Sequence, residues 1–599
     1  MLSNLPFTIT DLHTAYRNGA SPVEVIDEIF DRLAAVDDPA IFIHLRDRAE
    51  LRAEAAELGP FDPARPLWGI PFAVKDNIDV AEIPTTAACP AYAYTPQADA
   101  FVVASLRAAG GMMIGKTNLD QFATGLVGIR TPYGVPRNSL DPALVPGGSS
   151  GGSGVIVGHG IVSFSLGTDT AGSGRVPAAL NNIVGLKPSL GALSATGVVP
   201  ACRTLDTVSI FALTVDDAYA VFDVAAGYDG DDAYSKAFTK KPLHAVPTGL
   251  RIGIPDARSI EFFGDAAQER AFRRDAAVLA GSGAQIVEVD FTPFHDVAHM
   301  LYEGAWVAER YTVIEELLTE KPDALHAVTR QIITQAENLS AADAFRGLYR
   351  LQHLKRRAEP VLADLDLLCV PTIPTFYSLA DLESDPVTPN SNLGIYTNFV
   401  NLLDLCGIAV PTAPRSDGRP GSVTLLAGAG KDALTASVAR SFEKECPRTM
   451  GATQHPVAEA GSIETHAETD TLQLAVCGAH MSGLALNWQL TDRGGQFLRT
   501  ARTSEHYSFY ALPGGPPERP GLVRTGAVRA QSVAVEIWSL PMDQVGGFLA
   551  GIPSPLGLGT VELMDGSTVK GFICEASGIA GARDISDIGD WRAYLAQAV

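Results

Sequence analysis

Between residues 8 and 57, apolar positions such as Leu12, Val23, Ile26, Ile29, Phe30 and Leu33 fall mostly three to four apart, which predicts helices. The pattern then changes to short apolar runs. "LWGIPFAVK" (67–75) reads as a buried strand, "DAFVVASLRAAG" as a helix and "MMIGKT" as a second strand. "SGVIVGHG" opens a helix, and "IVSFSLGTD" is another β-like run. Strands at 250–255 and 284–290 bracket a helical 264–281, and 297–362 is mainly helical. "LDLLCVPT" and "SVTLLAG" follow as strands before a closing helix at 431–445. Strands alternating with helices predict an α/β fold, a mixed sheet covered by helices on both faces.

Residues 446–468 fit neither period and read as a linker. Beyond them, short strands recur at "TLQLAVCG", "HYSFYAL", "SVAVEIW" and "GTVELMDGSTVKGFICE", the last with an Asp-Gly turn inside it. The expected organisation is therefore a domain at 1–445, a linker, and a smaller α+β domain at 469–599. A chain of 599 residues has ample length for both cores.

Charge narrows the partners. The formal net charge of −23 argues against a broad nucleic-acid or anionic membrane surface, so an anionic small substrate needs a specific cation in its pocket. Seven cysteines without CxxC or metal-type spacing, and a beginning with no basic leader or apolar core, read as a soluble cytoplasmic protein with reduced thiols. No metal or cofactor is implied.

Several motifs match known chemistry only in letters. "GGMMIGKT" (110–117) fits a phosphate loop, but Met112, Met113 and Ile114 form a strand where the loop belongs. "GGSSG" (147–151) fits a hydrolase elbow, yet a proline-broken stretch precedes it instead of a tight strand. "HDVAH" (295–299) has helical spacing without the glutamate of a zinc protease.

Three segments taken in order are far more specific: "GIPFAVKDNIDV", "GGSSGGSG" and "GTDTAGSGRVPA". With them, residues 1–445 resemble the amidase signature family. The resemblance implies a Ser-cisSer-Lys triad, with Ser173 as nucleophile, Ser149 as the bridging serine and Lys75 as base. The side chains suit those roles. A lysine acts as base at neutral pH only if burial strips its charge, and a serine hydroxyl can accept one proton while donating another. The amides of Thr170, Ala171, Gly172 and Ser173 are candidates for stabilising an oxyanion, although the family commonly has glycine where Ala171 stands. Asp169 and Arg175 are expected to brace the turn.

"YEGAWVAERY" (302–311), "NSNLGIYTNFVNLLDLCGIAVP" (390–411) and "DQFATGLVGIRTPYG" (120–134) resemble the allophanate hydrolase branch of that family. The resemblance implies that Tyr302 and Arg310 contact the substrate, a urea bearing a carboxylate. Tyr302, Trp306 and Arg310 are expected on one helix face. It further implies a urea carboxylase or another allophanate-producing enzyme as functional partner, and a tail similar to γ-glutamyl cyclotransferases that speeds decarboxylation of the product. A homodimer is expected as the default for a large cytosolic enzyme. His480 is the candidate polar group in that tail, with Glu575 second. Alternatives are a broad aliphatic amidase, the amidase subunit of a tRNA-dependent amidotransferase, and a non-catalytic binding or scaffold protein on the same fold.

Overall fold

The computed structural model describes residues 2–247, 249–457, 471–526 and 531–597. Two compact units are present: Met1–Lys241, Ile252–Ser282 and Ile286–Ala460 make up the first, and Pro242–Arg251, Gly283–Gln285 and Gly461–Val599 the second.

The first unit is built on an eleven-stranded mixed sheet. Its strands are β1 (Phe42–Leu45), β2 (Pro71–Lys75), β3 (Met112–Thr117), β4 (Phe164–Asp169), β5 (Val184–Lys187), β6 (Thr207–Ala212), β7 (Arg251–Pro255), β8 (Gln285–Val289), β9 (Leu367–Pro371), β10 (Leu405–Thr412) and β11 (Gly421–Gly428). Their order is β1-β3-β2-β4-β6-β5-β10-β11-β9-β7-β8. β2 lies parallel between β3 and β4, pairing Phe72 with Met113 on one side and Phe164 on the other. Every residue of β2, β3 and β4 is buried, which is why they read as continuous apolar runs instead of alternating. The literal phosphate-loop match is thus strand β3, as its methionines required.

The helices carry ordinary local signals. Pro22–Val36 begins with a capping box in which Ser21 and Glu24 exchange bonds, and it buries Val25, Ile26 and Ile29. Asp265 caps Ala266–Gly281. The 297–362 region resolves into Ala305–Glu320, Ala327–Ile333 and Ala341–Ala363, with Thr292–Met300 leading into them. Periodicity missed β1, a four-residue edge strand between two helices, and left β5, β6 and β10 unassigned.

The segment read as a linker begins packed. Cys446, Arg448 and Met450 are buried, and Arg448 pairs with Glu443 at 2.5 Å; residues 458–468 lie outside those described. In the second unit, β12 (Thr471–Val476), β13 (Gln496–Arg502), β16 (Ala534–Pro541), β17 (Leu556–Glu562) and β18 (Thr568–Cys574) form a sheet in the order β13-β16-β12-β18-β17. β14 (Tyr507–Leu512), β15 (Arg519–Arg524) and β19 (Arg583–Asp584) form a smaller one. The Asp-Gly turn joins β17 to β18, with Gly566 at φ +82°. No helix among the described residues is long and apolar enough to cross a membrane.

Candidate active site

Lys75 ends β2 and is completely buried. Its Nζ donates to Ser149 Oγ and to Thr168 Oγ1, both at 2.8 Å. Ser149 follows a cis peptide bond from Gly148 and lies just ahead of the helix Gly151–Gly158. Its Oγ is 2.9 Å from Ser173 Oγ. Amine and two hydroxyls therefore form one hydrogen-bonded series, brought together from three separate segments of the chain. Burial pulls the Lys75 pKa down to about 7, although Asp120, Asp206 and Asp169 oppose the shift. At neutral pH a large share of this amine is uncharged and able to accept a proton.

Ser173 lies in the turn between β4 and the short helix Val176–Leu180. The turn is held on both sides. Arg175 donates Nε and Nη2 to the two oxygens of Asp169 at 2.9 Å, a fully buried bidentate pair, and Gly174 N donates to the same carboxylate at 3.0 Å. Burial alone would raise the Asp169 carboxyl, but the Arg175 guanidinium holds it below the usual carboxylate range. Asn401 Nδ2 reaches the carbonyls of Asp169 and Leu205, both at 2.8 Å. Gly172, at φ +139°, lies against Thr397, so a side chain there meets both strain and a clash. Among the described residues, nothing accepts a hydrogen bond from the amides of Thr170, Ala171, Gly172 or Ser173, which leaves four donors in this turn.

Arg310 lies within Ala305–Glu320, only 2% exposed. Nη1 donates to Thr124 Oγ1 at 3.3 Å, while Nε and Nη2 have no partner. The buried hydroxyl of Tyr302 has none either, and its ring lies 5.6 Å from the guanidinium carbon. The expected shared helix face is corrected here. Gly304, at φ +63°, starts the helix, so Tyr302 belongs to the preceding turn and reaches Arg310 from outside the helical register. Trp306 joins the hydrophobic core.

Two loops tie these groups to the serines. In the loop after β3, Asp120 N donates to Ser149 O and Gly148 N to Leu126 O, while Thr124 accepts from Arg310. Arg130, also buried, donates to Thr124 O at 3.0 Å. In the loop before β6, the Asp206 carboxylate accepts from Thr170 Oγ1 and from Ala201 N, the latter at 2.7 Å. Burial pushes that carboxyl up to about 6, against the pull of Thr170 and the two amides it binds. Sequence reasoning missed Thr168, Thr124, Arg130 and Asp206. Thr124 and Arg130 lie inside the quoted segment "DQFATGLVGIRTPYG" and Thr168 is the middle letter of Gly-Thr-Asp on β4, whereas Asp206 carried no signal.

In the second unit, a cavity of about 380 Å³ is lined by His480, Gln489, Arg519, Cys477 and Phe572, among others. The His480 ring stacks on Phe572 at 4.9 Å, and its Nε2 lies 3.0 Å from Gln489 Oε1. Burial lowers its pKa below the ordinary histidine value. Glu575 is exposed and is not part of that cavity wall. In "HDVAH", His295 Nε2 lies 2.9 Å from Ser259 O, inside the helix packing.

Residues 24–435 match the Amidase family, and residues 472–596 match the Allophanate hydrolase C-terminal domain. The urea amidolyase of Saccharomyces cerevisiae is 42% identical over 98% of this chain, but the chain spans only 33% of that protein. A glutamyl-tRNA(Gln) amidotransferase subunit from Carboxydothermus hydrogenoformans is 35% identical over 71% of this chain and 94% of its own length. Among solved structures, the Kluyveromyces lactis allophanate hydrolase is similar over the whole of both chains, with 41% identity and a TM-score of 0.78. With this site and these matches, the chain belongs to the amidase family and continues into an allophanate hydrolase C-terminal domain.

Proposed function

We propose that the chain is a cytoplasmic, homodimeric allophanate hydrolase. One observation carries the substrate reading: the Nε and Nη2 edge of Arg310 and the Tyr302 hydroxyl are buried without partners. Leaving such donors unpaired is costly, and a planar carboxylate satisfies that edge in bidentate fashion. Allophanate carries an amide and a carboxylate on one small frame.

In this reading Ser173 attacks the amide carbonyl. Its proton passes to Ser149, whose own proton passes to neutral Lys75. Amides of the 170–173 turn stabilise the oxyanion, and ammonia leaves with a proton returned along the same series. Water then cleaves the acyl-Ser173 ester, releasing a carbamate that bears a second carboxylate. That product loses carbon dioxide and yields further ammonia. We assign acceleration of this last step to the cavity of residues 469–599, where Arg519 offers a cation and His480 a neutral proton carrier; Glu575, outside the wall, has less support.

Allophanate is supplied either by carboxylation of urea or by another allophanate-producing enzyme. Similarity to a urea amidolyase three times longer supports urea carboxylase as the functional partner. The amidotransferase relatives favour a neutral amide instead, but the one from Carboxydothermus hydrogenoformans covers 71% of this chain, and their reading leaves Arg310 unexplained.

Ammonia release from allophanate, biuret, malonamate and glutamine, without metal or nucleotide, tests the proposal. Allophanate is expected to have the highest kcat/KM; preference for glutamine would overturn it.

A further inference from the structure

The loop of residues 201–206 touches the Ser173 turn at one end and the Arg310 helix at the other. At the first end, Asp206 accepts from Thr170 Oγ1, and Asn401 joins Leu205 O to Asp169 O. At the second, Thr204 donates its backbone N–H and its hydroxyl to the two oxygens of Glu309, both at 2.8 Å. Cys202 Sγ donates to Trp306 O at 3.5 Å, one turn before Arg310. Glu309 is next to the buried Arg310 in sequence and contributes to its electrostatic surroundings, yet its hydrogen bonds go to Thr204. Its carboxylate is used instead to bind a loop.

We propose that the Thr204–Glu309 clamp is a specificity determinant: it fixes the spacing between Ser173 and Arg310, and so selects amides whose anionic group lies at one distance from the scissile carbonyl. Glu309 and Thr204 are positioning residues in this account and touch no substrate. The inference rests on Arg310 as the carboxylate anchor. The helix begins at Gly304, a residue free to adopt φ +63°, and the preceding turn gives Ala305–Glu320 no side-chain cap. The paired bonds at Glu309 therefore hold its first turns by side-chain contact, where a small shift in Arg310 costs binding before it costs folding.

The test measures KM and kcat for allophanate together with the rate at which a fluorophosphonate labels Ser173, in Glu309→Ala, Thr204→Val, Thr204→Ser and Arg310→Ala proteins. Labelling reports the Lys75–Ser149–Ser173 series without using Arg310. Glu309→Ala and Thr204→Val are expected to raise KM roughly three- to tenfold, the latter being what a loss of about 1.4 kcal/mol gives. Their kcat and labelling rate are expected to stay within about twofold, the scatter of a surface contact. Thr204→Ser keeps the hydroxyl and is expected to restore wild-type KM. An unchanged KM in both clamp variants overturns the proposal, as does a labelling rate that falls in step with kcat/KM. If Arg310→Ala raises KM while the clamp variants do not, this inference fails alone; if Arg310→Ala also leaves KM unchanged, the carboxylate-anchor reading fails with it.

Discussion

Replacing Arg310 by methionine separates function from stability in opposite directions. In the free protein this guanidinium is buried, carries one hydrogen bond, at 3.3 Å, and leaves Nε and Nη2 unpaired. Burial would lower its pKa, but Cys202, Tyr302, Asp206 and Glu309 hold it above its ordinary value, so it stays charged. An unsatisfied buried donor costs about 1–3 kcal/mol, and replacing a buried charge by an apolar side chain of similar volume is often stabilising. Arg310→Met is therefore expected to stabilise the fold by about 1–2 kcal/mol. Two charge-assisted bonds to the substrate carboxylate are worth about 1.5–3 kcal/mol each, so kcat/KM for allophanate is expected to fall by about two to four orders of magnitude. Urea denaturation gives the first quantity and ammonia release the second. A variant that is less stable than wild type and still turns over allophanate at more than a tenth of the wild-type rate would rule out Arg310 as the carboxylate anchor.

Activity should also follow the Lys75 amine. Its pKa is lowered to about 7 from the ordinary lysine value, mainly by burial, and only the neutral form accepts a proton. The kcat/KM profile is thus expected to rise with pH through about 7 and then level; a profile flat from pH 5 to 9 would contradict it. The same shift makes the unfolded chain bind more protons between about 7 and 10.5, so its contribution favours folding increasingly as pH rises across that window. Asp169→Asn leaves the fully buried Arg175 without its bidentate partner and is expected to cost about 3–5 kcal/mol in urea denaturation, with loss of activity at 25 °C. His480→Ala is expected to leave the first ammonia release within about twofold while slowing carbon dioxide release about a hundredfold or more, the lower range for a lost acid–base group; carbon dioxide appearing at the wild-type rate would make the cavity of the second unit non-catalytic.

Much of the site was readable because its chemistry is local in sequence. Glycine-rich turns bracket Ser149 and Ser173, and Lys75 ends an unbroken apolar run, which marks a strand buried on both faces. Apolar runs also marked β3, β4, β7, β8, β9 and β11, whereas β1, β5, β6 and β10 were not marked. Other parts were invisible for physical reasons. Thr168, Thr124 and Asp206 act through contacts between segments far apart in the chain, and a lone threonine or aspartate in a loop has no periodic mark. The spacing of four from Tyr302 to Trp306, and again to Arg310, predicts a single helix face. Gly304 breaks that register, and packing brings the hydroxyl beside Arg310 by another route. Residues 446–457 lack any period because they pack largely as coil, where Arg448 donates Nη2 to Glu443 and to Leu213 O and Nη1 to Thr449 O.

A neutral Lys75 activates Ser173 through Ser149 in this mechanism, and peptide mapping after brief fluorophosphonate treatment at pH 8 separates that from any other route. A single adduct on Ser173 is expected in the wild-type protein, slowed at least a hundredfold in folded Lys75→Ala and Ser149→Ala proteins, near the lower bound for removing a general base. An adduct on another residue, or unchanged labelling of Ser173 without Lys75, would contradict it.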